Sequence, residues 1–334
     1  MVSTVSMVSM VRTASTAACR RPMAWVAIAA LLLLLPLASG CAAPAPTPAP
    51  ELTPPAQGAS ITFLFFSDTQ ARPETGANAN ANANAGANTG IGALLTGAVA
   101  GEPRAELVIF GGDTVDDGGE SGDWEAFWRN ASEPLDGLVV AAVPGNHDNH
   151  AMLAEQFAYP ARAPASPGEG FFYAIDMGGV HFVMLDSNIM GADRQADIDW
   201  LRADLAGEPA QKANWRVAVL HHPLWPPVNN PKDMARAETM RENFLPLLED
   251  YGVDLVLCGH QHVYARSRAQ NGIVQIMVAS GAKEPYHADN TEDMAIIGGA
   301  PSYLRITADA GSLTVTAFDG NHAVFDTLTI LPRS

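Results

Sequence analysis

Five short apolar runs each end in residues whose side chains bind metal ions, and this pattern constrains the fold more than any other feature. The runs and the segments after them are Ile61–Phe66 with Ser67-Asp68-Thr69-Gln70, Leu107–Phe110 with Gly111-Gly112-Asp113-Thr114-Val115-Asp116, Leu138–Val143 with Gly145-Asn146-His147-Asp148, Val217–Leu220 with His221-His222-Pro223, and Val253–Leu257 with Gly259-His260-Gln261-His262. A short apolar run predicts a buried strand. In open α/β sheets, ligands bind just beyond the carboxyl ends of the strands. Five such ends placed side by side would bring these Asp, Asn and His side chains to one site.

The rest of the chain alternates between helical and strand patterns. Amphipathic helices are predicted at Ile91–Ala100, Asp123–Asn130, Ala196–Leu205 and Glu238–Tyr251. Further strands are predicted at Phe171–Asp176, His181–Leu185, Ile273–Ala279, Ser302–Ala308, Ser312–Asp319 and Val324–Leu331. An α/β first half with a β-rich second half predicts an α/β (α+β) fold, in which two sheets pack face to face between flanking helices.

The N-terminal 40 residues predict a targeting segment rather than part of the fold. Arg12, Arg20 and Arg21 precede the apolar stretch Met23–Leu37, which is shorter than the roughly 20 apolar residues of a membrane-spanning helix. Small residues then lead to Cys41, a pattern that resembles a bacterial lipoprotein signal with Cys41 as the lipidated first residue. We therefore expect an extracytoplasmic protein anchored to the membrane through this lipid. An ordinary secretory signal and an uncleaved anchor are the alternatives.

Two low-complexity stretches frame the start of the predicted domain. Residues 41–59 are rich in Ala and Pro and predict an extended tether. The domain is predicted to span residues 60–334, and residues 72–90 repeat Ala and Asn without an apolar period. That composition predicts a surface loop directly after Asp68 and Gln70.

The charge balance argues against a nucleic-acid partner. The 334-residue chain has 36 acidic against 19 basic residues, a formal net charge of −17. Such a surface repels a phosphate backbone, and no nucleic acid is expected to bind.

Taken together and in this order, the five blocks resemble the calcineurin-like metallophosphoesterase superfamily. The nearer resemblance is to its purple acid phosphatase branch and to related secreted phosphodiesterases, over roughly residues 60–334. It implies a four-layer α/β/β/α sandwich of two mixed sheets. It also implies a hydrolase of phosphate esters with two transition-metal ions, of which Fe, Mn or Zn suit imidazole and carboxylate ligands.

The resemblance implies a role for each polar side chain of the blocks. Asp113 would bridge the two ions, and a bridging hydroxide would attack phosphorus in line. One ion would also be held by Asp68, His262 and Gln70, and the other by Asn146, His221 and His260. Asn146, His147 and His222 would contact the substrate, although His222 could equally pack beside the site.

His147 is expected to act on the substrate rather than on a metal. It would stabilise the developing charge or protonate the leaving oxygen. A histidine in that role needs a partner that fixes its tautomer, and Asp116 is assigned this role by the resemblance.

Two positions depart from the family pattern. Gln70 stands where many members have a metal-binding histidine, and its neutral oxygen would hold a metal less tightly. Asp116 stands where purple acid phosphatases have the tyrosine that binds ferric iron, so no purple colour is expected.

The sequence leaves two functions open. The first is hydrolysis of a small phosphate ester, with a slight preference for diesters because Arg and Lys are sparse around the blocks. The second is a non-catalytic surface protein that keeps the fold to bind a partner or a phosphorylated ligand, which Gln70 favours.

Overall fold

The computed structural model describes residues 60–70, 89–161, 171–188, 195–281 and 283–333. The predicted signal (1–40), the tether (41–59) and Cys41 lie outside these residues. So does the predicted loop 72–90, apart from residues 89 and 90, which instead begin a helix. All described residues belong to one unit of the chain, Pro48–Ser334.

The described residues form thirteen strands and eight helices. The strands are β1 Ile61–Phe66, β2 Leu107–Phe110, β3 Val139–Ala142, β4 Tyr173–Met177, β5 Val180–Met184, β6 Trp215–Val219, β7 Leu255–Cys258, β8 Tyr264–Ser267, β9 Val274–Met277, β10 Met294–Gly298, β11 Ser302–Ala308, β12 Leu313–Asp319 and β13 Val324–Ile330. The helices are α1 Thr89–Ala100, α2 Ser121–Ala131, α3 His150–Gln156, α4 Ala158–Ala161, α5 Gln195–Leu205, α6 Glu208–Lys212, α7 Pro231–Asn243 and α8 Leu245–Asp250.

The strands form two mixed sheets. One has six strands in the order β13-β12-β11-β1-β2-β3, and the other has seven in the order β10-β8-β9-β7-β6-β5-β4. Strands β1, β2 and β3 are parallel, and so are β5, β6, β7 and β9. All five strands that precede the polar blocks therefore lie in parallel ladders, where carboxyl ends share one edge.

Strand β1 shows why these strands are mostly apolar. Phe63 and Phe65 point into the core between the two sheets, and Leu64 and Phe66 point into the core beneath the helices. Side chains alternate between the faces of a strand, so a strand buried on both faces is apolar at nearly every position. The exception in β1 is Thr62, whose hydroxyl bonds that of Thr307 at 3.1 Å.

Three hydrophobic cores separate four layers. One core lies between the sheets, one packs the six-stranded sheet against α1 and α2, and one packs the seven-stranded sheet against α5, α7 and α8. The predicted α/β/β/α sandwich of two mixed sheets is confirmed.

Some element boundaries differ from the predicted ones. The single helix predicted at Glu238–Tyr251 is two helices that meet at Phe244. Pro246 lies in the first turn of α8, and its ring and missing N–H do not allow the preceding helix to continue. Strands β8 and β10 were not predicted, because neither is a run of buried apolar residues.

The longest helix in the described ranges, α7, has 13 residues. None of the helices found there combines the length and the apolarity that crossing a membrane requires.

Candidate metal centre

The register of the sheets brings the polar blocks to one edge of the sandwich. Phe66 is level with Phe110, and Phe110 with Ala142, so the first three strands end side by side. In the other sheet Val219 is level with Leu257. Main-chain hydrogen bonds then join the loops, from Asp68 N to Gly112 O (3.0 Å) and from Gly259 N to His221 O (3.0 Å).

Two further hydrogen bonds join the loops of one sheet to those of the other. His221 Nδ1 donates to the Gly111 carbonyl at 2.9 Å, and His260 N donates to Asp68 Oδ2 at 2.8 Å. The site is thus built across both sheets and depends on their packing.

Glycines allow the loops to approach this closely. A Cβ at Gly145 would collide with Asp113, and one at Gly259 would collide with Ser67 and Asp68. The backbone could not pass these carboxylates with any larger residue there.

The backbone is strained at the predicted ligands. Positive φ angles occur at Asp68 (50°), Asp113 (51°), His260 (79°) and His262 (37°). Among the described residues only two other non-glycine positions share this conformation. Such strain costs about 1–3 kcal/mol per residue and persists where the surrounding structure imposes it, commonly at functional sites.

The donor atoms form two overlapping groups. One atom each of Asp68, Asp113 and His221 lie within 4.8 Å of one another, and so do one nitrogen each of His221, His222 and His260. His221 belongs to both groups. The arrangement therefore offers two adjoining positions for cations.

Two donor atoms in these groups are buried without a hydrogen-bond partner among the described residues. They are Asp68 Oδ1 and His221 Nε2. Asp68 Oδ1 lies 3.5 Å from His262 Nε2, and His221 Nε2 lies 3.4 Å from Asp113 Oδ2. Two donors bonded at about 2.1 Å to one tetrahedral cation would be about 3.4 Å apart. The buried donors therefore fit transition-metal ions.

The electrostatics of the cluster also favour a bound cation. Burial alone would lower the pKa of His221, but the Asp113 and Asp68 carboxylates and the Gly111 carbonyl together outweigh burial and raise it to about 9. Burial alone would raise the pKa of Asp113, and His221 with His147 holds it below its usual value. The pocket thus attracts positive charge, which a metal ion would supply in place of a proton.

Each predicted histidine ligand has one nitrogen fixed by a protein group. His221 Nδ1 is held by the Gly111 carbonyl, His262 Nδ1 lies 3.3 Å from the Glu284 carbonyl, and His260 Nε2 lies 2.9 Å from Asp233 Oδ1. The second nitrogen of each ring is left for the centre, which is how metal-binding histidines are oriented.

The remaining predicted ligands, Gln70 and Asn146, are placed differently. Gln70 is fully buried. The amide orientation that satisfies both of its groups donates to the Asp113 carbonyl and accepts from Lys283 Nζ, each at 2.7 Å. Its oxygen is therefore already engaged. Asn146 is exposed on the loop between Gly145 and His147.

The side chain of His147 lies beside the cluster and is about one-third exposed to solvent. Its main-chain N–H donates to Asp113 Oδ1 at 2.8 Å, and its Nδ1 contacts the Asp116 carbonyl at 2.6 Å. The Asp116 carboxylate lies 4.0 Å from Nδ1 and pairs instead with Lys283 Nζ at 2.7 Å. The main-chain carbonyl of Asp116 thus fixes the tautomer of His147. The other ring nitrogen, Nε2, lies 3.5 Å from Lys283 Nζ.

His222 lies beside the cluster with both ring nitrogens engaged. Nδ1 is 2.9 Å from Ser187 Oγ, and Nε2 contacts the Arg236 guanidinium. Burial, with His221, His260 and Arg236 nearby, lowers the pKa of His222 well below its usual value. A substrate could contact this ring only if Arg236 moved.

Sequence reasoning missed three charged residues at the site: Lys283, Asp233 and Arg236. The rule that ligands follow strand ends could have found Lys283, because it follows β9, whose Met277 is level with Cys258 of β7. Asp233 and Arg236 lie on α7, and their local sequence carries no such signal.

Comparisons with known proteins agree with this fold. The family model "Calcineurin-like phosphoesterase" matches residues 61–264. Purple acid phosphatase 23 of Arabidopsis thaliana is 32% identical over 152 residues, which are 43% of this chain and 32% of that protein. The chain spans about a third of the length of the curated relatives it matches.

Solved structures are similar at lower identity. The purple acid phosphatase PPD1 of yellow lupin (Lupinus luteus) superimposes with a TM-score of 0.67 and 20% identity, over 82% of this chain and 54% of that one. A dimetal phosphatase from Danio rerio gives a TM-score of 0.54 and 17% identity, over 82% and 99%. Because the family model covers more than half of the chain and the fold agrees with it, this chain belongs to the calcineurin-like phosphoesterase family.

Proposed function

We propose that this protein hydrolyses phosphate esters with a centre of two transition-metal ions, Fe, Mn or Zn. The observation that carries the proposal is the pair of buried donors without partners, Asp68 Oδ1 and His221 Nε2, each 3.4–3.5 Å from a second donor. The family and the relatives named purple acid phosphatases support the same chemistry.

The described residues divide naturally between the two ions. As the resemblance implies, Asp68 and His262 would hold one, His221 and His260 the other with Asn146, and Asp113 would lie between them. When bound, such ions supply a hydroxide nucleophile near neutral pH and stabilise the charge on the phosphoryl oxygens. Gln70 would join the first ion only by giving up Lys283.

His147 would serve the leaving group. Because Nδ1 is held by the Asp116 carbonyl, only Nε2 can reach a substrate. In the imidazolium form this nitrogen would give its proton to the departing oxygen, as a general acid. Asn146, exposed beside it, would donate an amide N–H to a phosphate oxygen.

We also propose that the mature protein is an extracytoplasmic lipoprotein held to the bacterial membrane through Cys41, with secretion as the alternative. The support is the sequence before Cys41. A Cys41→Ala variant should lose the label from a radioactive or clickable palmitate precursor and leave the membrane fraction. An unchanged label would exclude lipidation at Cys41.

A non-catalytic surface protein of the same fold, binding a partner or a phosphorylated ligand, is the second candidate. The engagement of Gln70 with Lys283 favours it, since one predicted ligand is withdrawn from the centre. Elemental analysis separates the candidates, because two ions per chain favour the enzyme and one or none favours the binder.

The direct test is a substrate panel on the purified mature protein. It should contain p-nitrophenyl phosphate, bis-p-nitrophenyl phosphate and cyclic nucleotides, each assayed with Mn, Zn or Fe. Metal-dependent turnover of at least one ester is expected. An absence of turnover across the panel would contradict the enzymatic proposal.

A further inference from the structure

A lysine from outside the five blocks stands inside the site. Lys283 Nζ lies 2.7 Å from Asp116 Oδ1, 2.7 Å from the Gln70 amide oxygen and 3.5 Å from His147 Nε2. Its side chain is only 20% exposed. A mostly buried ammonium therefore faces the same space as the nitrogen that would serve the leaving group.

The chain around Lys283 holds it in this place. Ser280 N donates to the Ser67 carbonyl and Gly281 N to the Asp68 carbonyl, both at 2.8 Å. On the other side of Lys283, the Glu284 carbonyl lies 3.3 Å from His262 Nδ1. The lysine is thus bracketed by residues that contact two predicted ligands, so its position is preorganised with the centre.

The hydrogen bonds of Lys283 leave room for a phosphate oxygen. An ammonium has three N–H donors. Asp116 and Gln70 accept two of them at 2.7 Å, while the third direction has only the long 3.5 Å contact to His147. A phosphate oxygen that approaches from this third direction would accept a hydrogen bond from Lys283 beside His147.

The charge of this lysine distinguishes between classes of ester. A phosphomonoester carries a charge near −2 at neutral pH, since its second pKa is about 6, whereas a diester carries −1. A charge-assisted hydrogen bond contributes more to binding the doubly charged group. Few basic residues lie near the blocks in the sequence, but the folded site includes Lys283.

We propose that Lys283 is a specificity-determining residue that binds a non-bridging phosphate oxygen beside His147 and favours phosphomonoesters over phosphodiesters. The proposal rests on the phosphoester hydrolysis proposed above. It reverses the slight preference for diesters that the sequence suggested.

The test compares Lys283→Met, Lys283→Arg and the wild type as the full mature protein loaded with Mn. We expect Lys283→Met to lower kcat/KM for p-nitrophenyl phosphate about 10- to 100-fold, the usual effect of losing a hydrogen bond to a charged group. The change for bis-p-nitrophenyl phosphate should stay below about 3-fold. Lys283→Arg should recover part of the monoester activity, because it keeps the charge.

Two further measurements exclude a structural explanation. Metal content by elemental analysis should be unchanged in Lys283→Met, and the affinity for inorganic phosphate, measured by calorimetry, should fall at least about 10-fold. Lys212→Met is the matched control, because Lys212 is exposed on α6 and pairs there with the exposed Glu208. It should behave as the wild type in every assay.

The outcomes separate this proposal from the proposed function. Equal losses on both esters, or no loss on the monoester, would overturn the role of Lys283 while leaving the hydrolase in place. If the wild type hydrolyses no ester of the full substrate panel, the hydrolase proposal fails and phosphate binding decides the question. Unchanged phosphate affinity in Lys283→Met would then overturn the role of Lys283, and a loss would support its contact with phosphate.

Discussion

Asp113 connects the two halves of the candidate centre. Its Oδ1 accepts from the main chain of His147, and its Oδ2 lies 3.4 Å from His221 Nε2. A single carboxylate therefore touches a loop from each sheet. We expect Asp113→Asn to bind fewer than two ions per chain, because an amide offers one neutral oxygen where a bridging carboxylate offers two charged ones. Elemental analysis after dialysis measures this, with the exposed Asp117→Asn as control, and two retained ions in Asp113→Asn would contradict it.

His147 has a separate prediction because its main-chain N–H, rather than its side chain, contacts the predicted ligand Asp113. We expect His147→Ala to lower kcat about 10²- to 10⁴-fold, the usual range for losing a general acid. Both ions should remain bound. Steady-state kinetics with metal analysis tests this, and His322→Ala, an exposed histidine outside the site, is the control. Loss of metal together with activity would show that His147 holds the centre instead.

For individual residues, the sequence could indicate the metal ligands but not the groups that hydrogen-bond to those ligands. The strand-end rule brought out Asp68, Asp113, His221, His260 and His262, because each follows an apolar run directly. The groups that orient them, such as the Gly111 and Glu284 carbonyls and Asp233, come from other segments. Those contacts depend on how the two sheets pack, which no local pattern encodes.

At the scale of elements, a buried ion pair joins β13, at the edge of one sheet, to β8 of the other sheet. Asp326 of β13 accepts from Tyr264 Oη at 2.6 Å and from Arg266 Nε at 2.7 Å, both on β8. We expect Asp326→Ala to lower the free energy of unfolding by about 3 kcal/mol, since it leaves a buried hydroxyl and a largely buried guanidinium without their acceptor.

Urea denaturation measures this effect. Glu208→Ala removes the exposed partner of Lys212 on α6 and should change the stability by less than about 0.5 kcal/mol. A similar small effect of Asp326→Ala would mean that the pair does not hold the sheets together.

His181 joins three elements away from the candidate centre. On β5 it contacts Asp176 of β4 at 2.8 Å and Asp204 of α5 at 2.9 Å, and Arg216 of β6 lies beside it in register. Burial alone would lower the pKa of His181, but the two carboxylates raise it to about 9. Because this exceeds the unfolded value of about 6.5, the stabilisation is complete below about pH 6.5 and lost as the pH rises through about 9.

The His181 cluster therefore predicts a pH-dependent stability. Between pH 6 and pH 9.5 the wild type should lose about 2 kcal/mol more than a His181→Gln variant, allowing for solvent screening at the half-exposed Asp176. Urea midpoints of both proteins across this range measure the difference. Parallel profiles for the two proteins would contradict the assignment.

Strands buried on both faces were easier to predict than helices and than strands that contain polar or exposed residues. Strands buried on both faces, such as β1 and β2, are apolar at nearly every position and stand out in the sequence. Strand β10 alternates buried and exposed residues at a sheet edge, and β8 includes polar residues that pair with β13, so neither forms an apolar run. The break at Phe244 depends on Pro246, which the apolar period alone does not reveal.

At the scale of the whole molecule, the two-sheet sandwich is what makes the site. Parallel pairing brings the carboxyl ends of β1, β2 and β3 to one edge of the first sheet. It brings those of β6, β7 and β9 to one edge of the second sheet. Packing of the sheets then joins the two edges through His221 and His260. The order of helices and strands predicted two sheets packed face to face between helices, and the family resemblance implied their mixed topology. Lys283 became part of the site only through the packing.

We propose that side chains from both sheets hold a pair of cations around Asp113. The most direct measurement is anomalous diffraction from a crystal of the mature protein soaked in manganese. We expect two peaks, one next to Asp68 and His262 and one next to His221 and His260, both in contact with Asp113. Manganese bound elsewhere, or Asp113 far from both pairs, would contradict it.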